Sequence, residues 1–307
     1  MSDVAISTAD LNKVFTSTDF WKKGTVGLEG LNLEVQQGEV YAFLGPNGAG
    51  KTTTIKLLTR LLLPTRGEIY LFGRRNTSPA AMAGVGYLPE QPSLYGYLTG
   101  VEFLDFIARL FGIGRSKREK RISNLLRRVG LEGRGSNAIR GYSRGMIQRL
   151  GLAQALINDP KLIILDEPMA SLDPIGRKDF RDMILSLKEE GRTIFFSSHI
   201  LSDAEMIADR AGILNRGRLV NTGKLDDLVQ SQSTVVEVTF LLDRDKQSTI
   251  QLDAGAVVQD QKILVRLKPD EDIRAYLRKI DGWGGQVVSV VPQKKSLEDL
   301  FLDQVGR

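Results

Sequence analysis

The sequence predicts an α/β fold: a parallel sheet with helices on both faces, interrupted by an all-helical insert and followed by a small α+β domain. Three observations predict it. Apolar, strand-like runs alternate with helical patterns through the first two-thirds of the chain. From about residue 92 to 150 the strand-like runs stop and amphipathic helical patterns take over. After about residue 225 short alternating runs return, with helical segments between and behind them.

The first strong element is GEVYAFLG (38–45), an apolar run that stops at glycine and reads as a buried strand. The pattern over 52–62 then places Ile55, Leu58 and Leu62 on one helical face. Further strand-like runs are KLIILDEP (161–168), RTIFFSSH (192–199) and AGILNRG (211–217). Between them FRDMILSLKEEG (180–191) has helical spacing and closes on Gly191. In the insert, VEFLDFIARLFG (101–112) and REKRISNLLRRVG (118–130) are amphipathic. In the last part, 235–242, 262–267 and 286–291 read as strands, and 270–280 and 296–305 as helices. The polar stretch 224–234 reads as a linker, so the expected domains are 1–224 and 225–307.

The 307 residues suffice for one large domain plus a small one, and 42% apolar with 26% charged residues is ordinary for a globular chain. The absence of cysteine excludes disulfides and thiolate metal sites, and fits a reducing compartment. The N-terminus shows no apolar stretch behind a basic one, the mark of a secretory signal. No apolar run approaches the roughly 20 residues that span a bilayer, so the chain is not expected to cross one by itself. Net charge is uneven. Residues 1–224 hold 31 of the 42 Lys and Arg but 23 of the 37 Asp and Glu, while the remainder is mildly acidic. A basic surface of that size suits phosphates, nucleic acid or anionic lipid, and equally an ordinary solvated face.

Residues Gly45-Pro46-Asn47-Gly48-Ala49-Gly50-Lys51-Thr52 fit G-x-x-x-x-G-K-[ST], placed between a strand and a helix. Glycines let backbone amides converge on phosphate oxygens, and the helix start presents its positive end to the same anion. Lys51 is then expected to neutralise the β- and γ-phosphates, and the Thr52 hydroxyl to ligate Mg²⁺. By chance this pattern arises in about one chain in a hundred of this length, given ordinary glycine usage. A metal carboxylate is expected where an apolar strand ends, and Leu162–Leu165 ends at Asp166 and Glu167. Asp166 is the expected Mg²⁺ ligand and Glu167 the group that orients and polarises the attacking water. An acidic pair before Pro168 also fits a helix start; the phosphate loop upstream favours the catalytic role.

With those motifs in hand, the sequence resembles the nucleotide-binding domain of ATP-binding cassette (ABC) transporters over about residues 3–224. After GPNGAGKTT come GYLPEQPSLY (86–95), YSRGMIQRLGLAQAL (142–156), LIILDEP, SLD (171–173) and SSH (197–199), in the family's order. The resemblance implies a P-loop ABC-type ATPase using ATP and Mg²⁺, with Thr53 beside Thr52 in the nucleotide site. Tyr142-Ser143-Arg144-Gly145-Met146 stands at the signature motif, commonly LSGGQ: Ser143 and Gly145 match, while Arg144 and Met146 depart. His199, the one histidine, stands at the switch position, and Asp173 at the D-loop aspartate. Glu90 stands where most relatives carry the Q-loop glutamine, with Gln91 next; either reaches metal or water. Phe15 is the expected adenine-stacking ring, with Trp21 as rival.

The resemblance also implies partners. Two copies are expected to join head-to-tail over two ATP molecules, since the phosphate loop and Ser143 occupy different faces of one chain. GYLPE, YSRGM and the closing SLEDLFL resemble exporters that pair a free-standing ATPase with separate transmembrane permease subunits, contacted by the helical insert. The chain is then a peripheral protein on the cytoplasmic face of the membrane. The alternative is a non-transport ABC ATPase acting on ribosomes or nucleic acid. Those relatives usually carry two cassettes or a long coiled-coil insertion, and neither is present here, so no specific nucleic acid is expected. A GTPase is disfavoured by the lack of N-K-x-D.

Overall fold

Two long strands, β1 (Val4–Phe15) and β2 (Thr25–Gln36), precede the apolar run at Val40, which becomes β3 (Val40–Leu44) with all five residues buried. These elements come from a computed structural model that describes residues 3–15, 25–230, 235–247, 256–267 and 271–293. After β3 follow α1 (Lys51–Leu58), β4 (Arg66–Leu71), β5 (Arg74–Arg75), α2 (Pro79–Met82) and β6 (Val85–Leu88). The helical insert holds α3 (Gly100–Leu110), α4 (Arg115–Arg128) and α5 (Arg144–Ala155). A capping box starts α3: the Thr99 hydroxyl accepts from the Glu102 amide while the Glu102 carboxylate accepts from Thr99. Then come β7 (Leu162–Leu165), α6 (Pro174–Glu189), β8 (Thr193–Ser198), α7 (Leu201–Ile207), β9 (Arg210–Asn215) and β10 (Arg218–Lys224).

The main sheet runs β10-β9-β3-β8-β7-β6. Its strands from β9 to β6 are parallel, and β10 joins antiparallel as an edge. Every residue of β3, β7 and β8 is buried, as expected of parallel strands covered on both faces. On one face Tyr41 and Phe43 pack with Phe195, Ile164 and the α1 residues Ile55 and Leu58. Because the strands are parallel, their carboxyl ends lie on one edge of the sheet, the edge where ligands bind in such folds.

A second, antiparallel sheet, β2-β1-β4-β5, was not legible as such in the sequence. Its two long strands are covered on one face only, and β1–β2 pairing shifts register at four places. The period-two pattern is therefore broken by bulges. The helix expected over 52–62 ends at Leu58, because Arg60 turns to a left-handed φ of 59°. The stretch expected to be a linker begins instead as α8 (Leu225–Gln230), with 231–234 outside the described residues. No helix among the described residues is long and apolar enough to cross a membrane.

Contacts divide the chain into two compact units, Met1–Leu225 and Asp226–Arg307. The second contains β11 (Val235–Leu241), α9 (Arg244–Gln247), β12 (Val257–Gln259), β13 (Lys262–Leu267), α10 (Ile273–Gly282) and β14 (Gln286–Gln293). Its sheet, β12-β13-β11-β14, is antiparallel throughout. One face packs Val238, Phe240, Ile263 and Val265 against Tyr276 and Ile280 of α10. The helix expected at 296–305 lies outside the described residues.

Candidate functional site

Residues 45–50 bridge the end of β3 to the start of α1, and two glycines hold that bridge close to its neighbours. Gly50 caps α1 at a φ of 111°, and a Cβ there would stand 2.6 Å from the Gly27 carbonyl oxygen of β2. A Cβ on Gly45 would stand 2.5 Å from the Leu214 carbonyl oxygen of β9. The loop is thus pinned between two strands with its helix N-terminus open to an anion. Lys51 begins α1 and is buried. Its ammonium donates to the Gly45 carbonyl at 2.6 Å and the Pro46 carbonyl at 3.2 Å, and pairs with Glu167 Oε1 at 3.1 Å.

β7 delivers Asp166 and Glu167, and its neighbour β8 delivers Ser197 and His199, at the same edge. Ser197 stands in the SSH segment (197–199), but the sequence reading gave it no role. Its hydroxyl donates to Asp166 Oδ1 at 2.7 Å and accepts the Glu167 backbone amide at 2.8 Å, so one side chain orients both acids. The available signal was a serine ending an apolar strand. Glu167 has a left-handed φ of 46°, a conformation that costs a non-glycine residue about 1–3 kcal/mol. Its Oε2 lies 2.8 Å from His199 Nδ1, and the His199 ring is partly open to solvent. Lys51, Glu167 and His199 therefore form one connected chain of charged and titratable groups.

Thr52 Oγ1 donates to Asp166 Oδ1 at 3.3 Å. Burial pushes the Asp166 carboxyl above the usual aspartate value of 3.8, and the bonds from Ser197 and Thr52 pull only part of the way back. Burial, with Asp166 nearby, likewise pushes the Tyr87 hydroxyl up to about 12. Among the described residues no group of three or more His, Cys, Asp or Glu could cage a metal. One hydroxyl and one buried carboxylate do fit Mg²⁺, which takes hard oxygens from few side chains and the rest from phosphate and water.

Stability follows from the sign of that shift. A carboxyl whose folded pKa is raised favours folding only while protonated; that contribution is lost as pH rises from about 4 through the raised folded value. At neutral pH the ionised Asp166 is therefore a net cost in the nucleotide-free chain. Asp166→Asn keeps an acceptor for Ser197 and removes the charge. The variant is expected to melt higher than the parent. It is also expected to lose the further rise that Mg²⁺ with nucleotide gives the parent. Differential scanning fluorimetry reads both, and an unchanged or lower melting point without nucleotide contradicts the account.

These groups open on a cavity of about 540 Å³ lined by Asn47, Gly48, Gly50, Lys51, Thr52, Thr53, Glu90, Glu167 and His199. Phe15, at the end of β1, closes another side of it, with the Lys13 ammonium 5.4 Å from its ring centroid. Trp21 lies outside the described residues. Gln91 faces a neighbouring cavity, shared with Glu90, Arg144 and Glu167. Gly45 does not line the nucleotide cavity but accepts from Lys51 through its carbonyl, and Ala49 is buried. The structure does not bring the remaining expected residues to the nucleotide cavity of the same chain. Ser143 caps α5, its hydroxyl accepting the Met146 amide at 3.3 Å, and Gly145 follows in that helix. Asp173 caps α6 by accepting the Gly176 amide at 2.7 Å. Neither Ser143, Gly145 nor Asp173 lines the cavity.

Comparison with known proteins then decides the family. Residues 28–170 match the family described as ABC transporter. An uncharacterized ABC transporter ATP-binding protein of Nostoc sp. is 44% identical to this chain, over 98% of the chain and 90% of that protein. The chain belongs to the ABC transporter family. Within that family, a bacitracin transport ATP-binding protein of Bacillus licheniformis is 35% identical, over 98% of this chain and 97% of that protein. A bacterial ABC transporter cassette of known, dimeric structure has a TM-score of 0.66 at 25% identity, covering 72% of this chain and 98% of that one. The chain is an ATP-binding ABC subunit and an ATPase that powers transport.

Proposed function

We propose that the cavity between Phe15 and His199 holds Mg²⁺-ATP, and that two copies of the chain close head-to-tail over two nucleotides to drive an exporter with separate permease subunits. One observation carries this. Lys51, Thr52, Glu167 and His199 converge on a single cavity, while the Ser143 end of α5, which the family resemblance assigns to the γ-phosphate, lies outside it and is exposed. A second copy would supply that helix start, and two-fold symmetry would complete both sites at once. Phe15 would stack on adenine, the loop amides and Lys51 would hold the phosphates, and Thr52 and Asp166 would hold Mg²⁺ with Glu90 or Gln91 nearby. Mg²⁺ would neutralise charge that develops on the phosphate oxygens.

In the nucleotide-free chain Lys51 is committed to Glu167. A γ-phosphate competing for the ammonium frees that carboxylate to orient water, with His199 fixing its other oxygen. Water attacks the γ-phosphorus, the bond to the bridging oxygen breaks, and ADP and phosphate leave. Loss of the shared phosphate then loosens the dimer, which is the mechanical output. Residues 1–224 serve as the ATPase domain, with the insert near 92–150 meeting the permease at the cytoplasmic membrane face, and 225–307 as an accessory domain.

Shared sites have a distinctive signature in mixtures. Lys51→Ala and Ser143→Glu chains are each expected to be inactive, because each spoils both sites of its own homodimer. Mixed in equal amounts, half the dimers pair one of each and keep one intact site, so about a quarter of parental ATPase activity returns if the sites act independently. Phosphate release measures it. No recovery on mixing contradicts head-to-tail sharing. Purification of the tagged chain from detergent-solubilised membranes tests the partner: a polytopic protein supports transport, and ribosomes or nucleic acid oppose it.

A further inference from the structure

Much of the basic excess of residues 1–224 lies on one helix. α4 reads RSKREKRISNLLRR, seven cations against a single acid, Glu119. Three of the cations are neutralised nearby: Arg118 pairs with Asp105, Arg115 with Glu119 and Arg127 with Glu132. The other four, Lys117, Lys120, Arg121 and Arg128, line a cavity of about 310 Å³ together with Arg192.

The cavity combines fixed and free cations. Arg121 donates to the Ile157 carbonyl at 2.9 Å and Arg192 to the Pro160 carbonyl at 2.6 Å, so oxygens without a net charge hold both guanidiniums. Arg192 also pairs with Asp159 at 2.7 Å, and Arg128 with Glu190 at 2.5 Å. Lys117 and Lys120 are exposed and make no ion pair or hydrogen bond among the described residues. Five cations thus face the two acids paired with them, Asp159 and Glu190, a surplus of 5 − 2 = 3 positive charges. The acids register it: bonds from Arg192 to Asp159 and from Arg128 to Glu190 hold both carboxyls below their ordinary values.

Like charges repel, so a cluster that the fold fixes in place without neutralising it is suited to a multiply charged anion. A guanidinium fork takes phosphate oxygens two at a time, and three forks with two mobile ammoniums call for more charge than one carboxylate carries. The volume is at the small end for ligand pockets and suits a compact group. The nucleotide site lies elsewhere. Asp159 and Arg192 stand at the amino ends of β7 and β8, Glu167 and His199 at their carboxyl ends, with about 23 Å of strand between Arg192 and His199. We propose that Lys117, Lys120, Arg121, Arg128 and Arg192 form a second anion site, for a multiply charged phosphate group carried by a soluble phosphate compound or a phospholipid headgroup. α4 belongs to the helical insert and Arg192 to the start of β8, so the bound phosphate ties the insert to the sheet.

Pyrophosphate is the probe, with ADP at saturation so that the phosphate loop is occupied. In equilibrium dialysis the full-length chain is expected to take up labelled pyrophosphate beside its ADP. Lys117→Gln/Lys120→Gln is expected to weaken that uptake by at least about tenfold, because it removes two charges that face a multivalent anion. Arg115→Gln/Arg127→Gln removes the same charge from the same helix outside the cavity, and is expected to weaken it by less than about threefold after screening. All four positions are exposed, so neither double variant disturbs the core. Co-sedimentation with phosphatidylcholine vesicles, with and without phosphatidic acid, separates the two sources. Capture by phosphatidic acid that pyrophosphate reverses assigns the site to a headgroup; pyrophosphate uptake without capture assigns it to a soluble compound. The proposal is overturned by a parent that takes up no pyrophosphate beside ADP, or by double variants that weaken uptake equally, as a diffuse basic face would. Neither pair lines the nucleotide cavity, so that outcome leaves the ATP-driven cycle standing.

Discussion

Glu167→Gln lowers ATP turnover by about 10²–10⁴-fold, the usual worth of a positioned general base, while ATP binding survives. The geometry explains why the two effects separate. Gln keeps the length of the side chain, an oxygen able to face His199 Nδ1, and the backbone amide bond to Ser197. What it removes is the negative charge that polarises water. It also removes the partner that competes with phosphate for Lys51, 3.1 Å away, so ATP is expected to bind at least as tightly as in the parent. The variant should accumulate as an ATP-bound dimer, seen by light scattering with Mg²⁺-ATP and lost when ATP is removed. Turnover within about tenfold of the parent would remove Glu167 from the role of base; a monomer with ATP bound would remove the closing step.

Lys51→Ala is expected to weaken ATP binding by two to three orders of magnitude. Its ammonium is buried, and two of its three partners are loop carbonyls that hold it in place beside the cavity. Removing one member of a buried charge pair typically costs about 3–5 kcal/mol, because the other charge stays behind without compensation. Here that residue is Glu167, itself nearly buried. The nucleotide-free variant should therefore melt lower than the parent as well as bind poorly. Adding Glu167→Gln should restore much of the lost melting temperature and none of the ATP affinity, because it neutralises the stranded carboxylate without replacing the cation. Titration with a fluorescent ATP analogue and a thermal melt read the two quantities separately. A double variant that melts no higher than Lys51→Ala would show that the pair carries no stability.

The chemistry of the site was legible in the chain itself because its main parts are contiguous. Gly45 to Thr52 contains the loop, its cation and the hydroxyl within eight residues, and the apolar run Leu162–Leu165 announces Asp166 and Glu167 at its end. Glycine conformation, helix polarity and strand burial act over a few residues, so sequence pattern reports them directly. The strands β3, β7, β8 and β9 and the helices α3 and α4 were readable for the same reason: full burial or one clean apolar face leaves a strong periodicity.

Spatial neighbourhood was decided by the tertiary structure. Lys51, Glu167 and His199 meet because β3, β8 and β7 are adjacent in that order in the sheet, an order unlike their order in the chain. That arrangement comes from burying both faces of every central strand at once, a demand on the whole unit that no local window carries. It also gave Ser197 its place between the two acids, brought Phe15 to the cavity from the bulged sheet of β1 and β2, and kept Ser143 and Asp173 as caps outside it. Local physics names the groups; packing across the whole unit determines which of them meet.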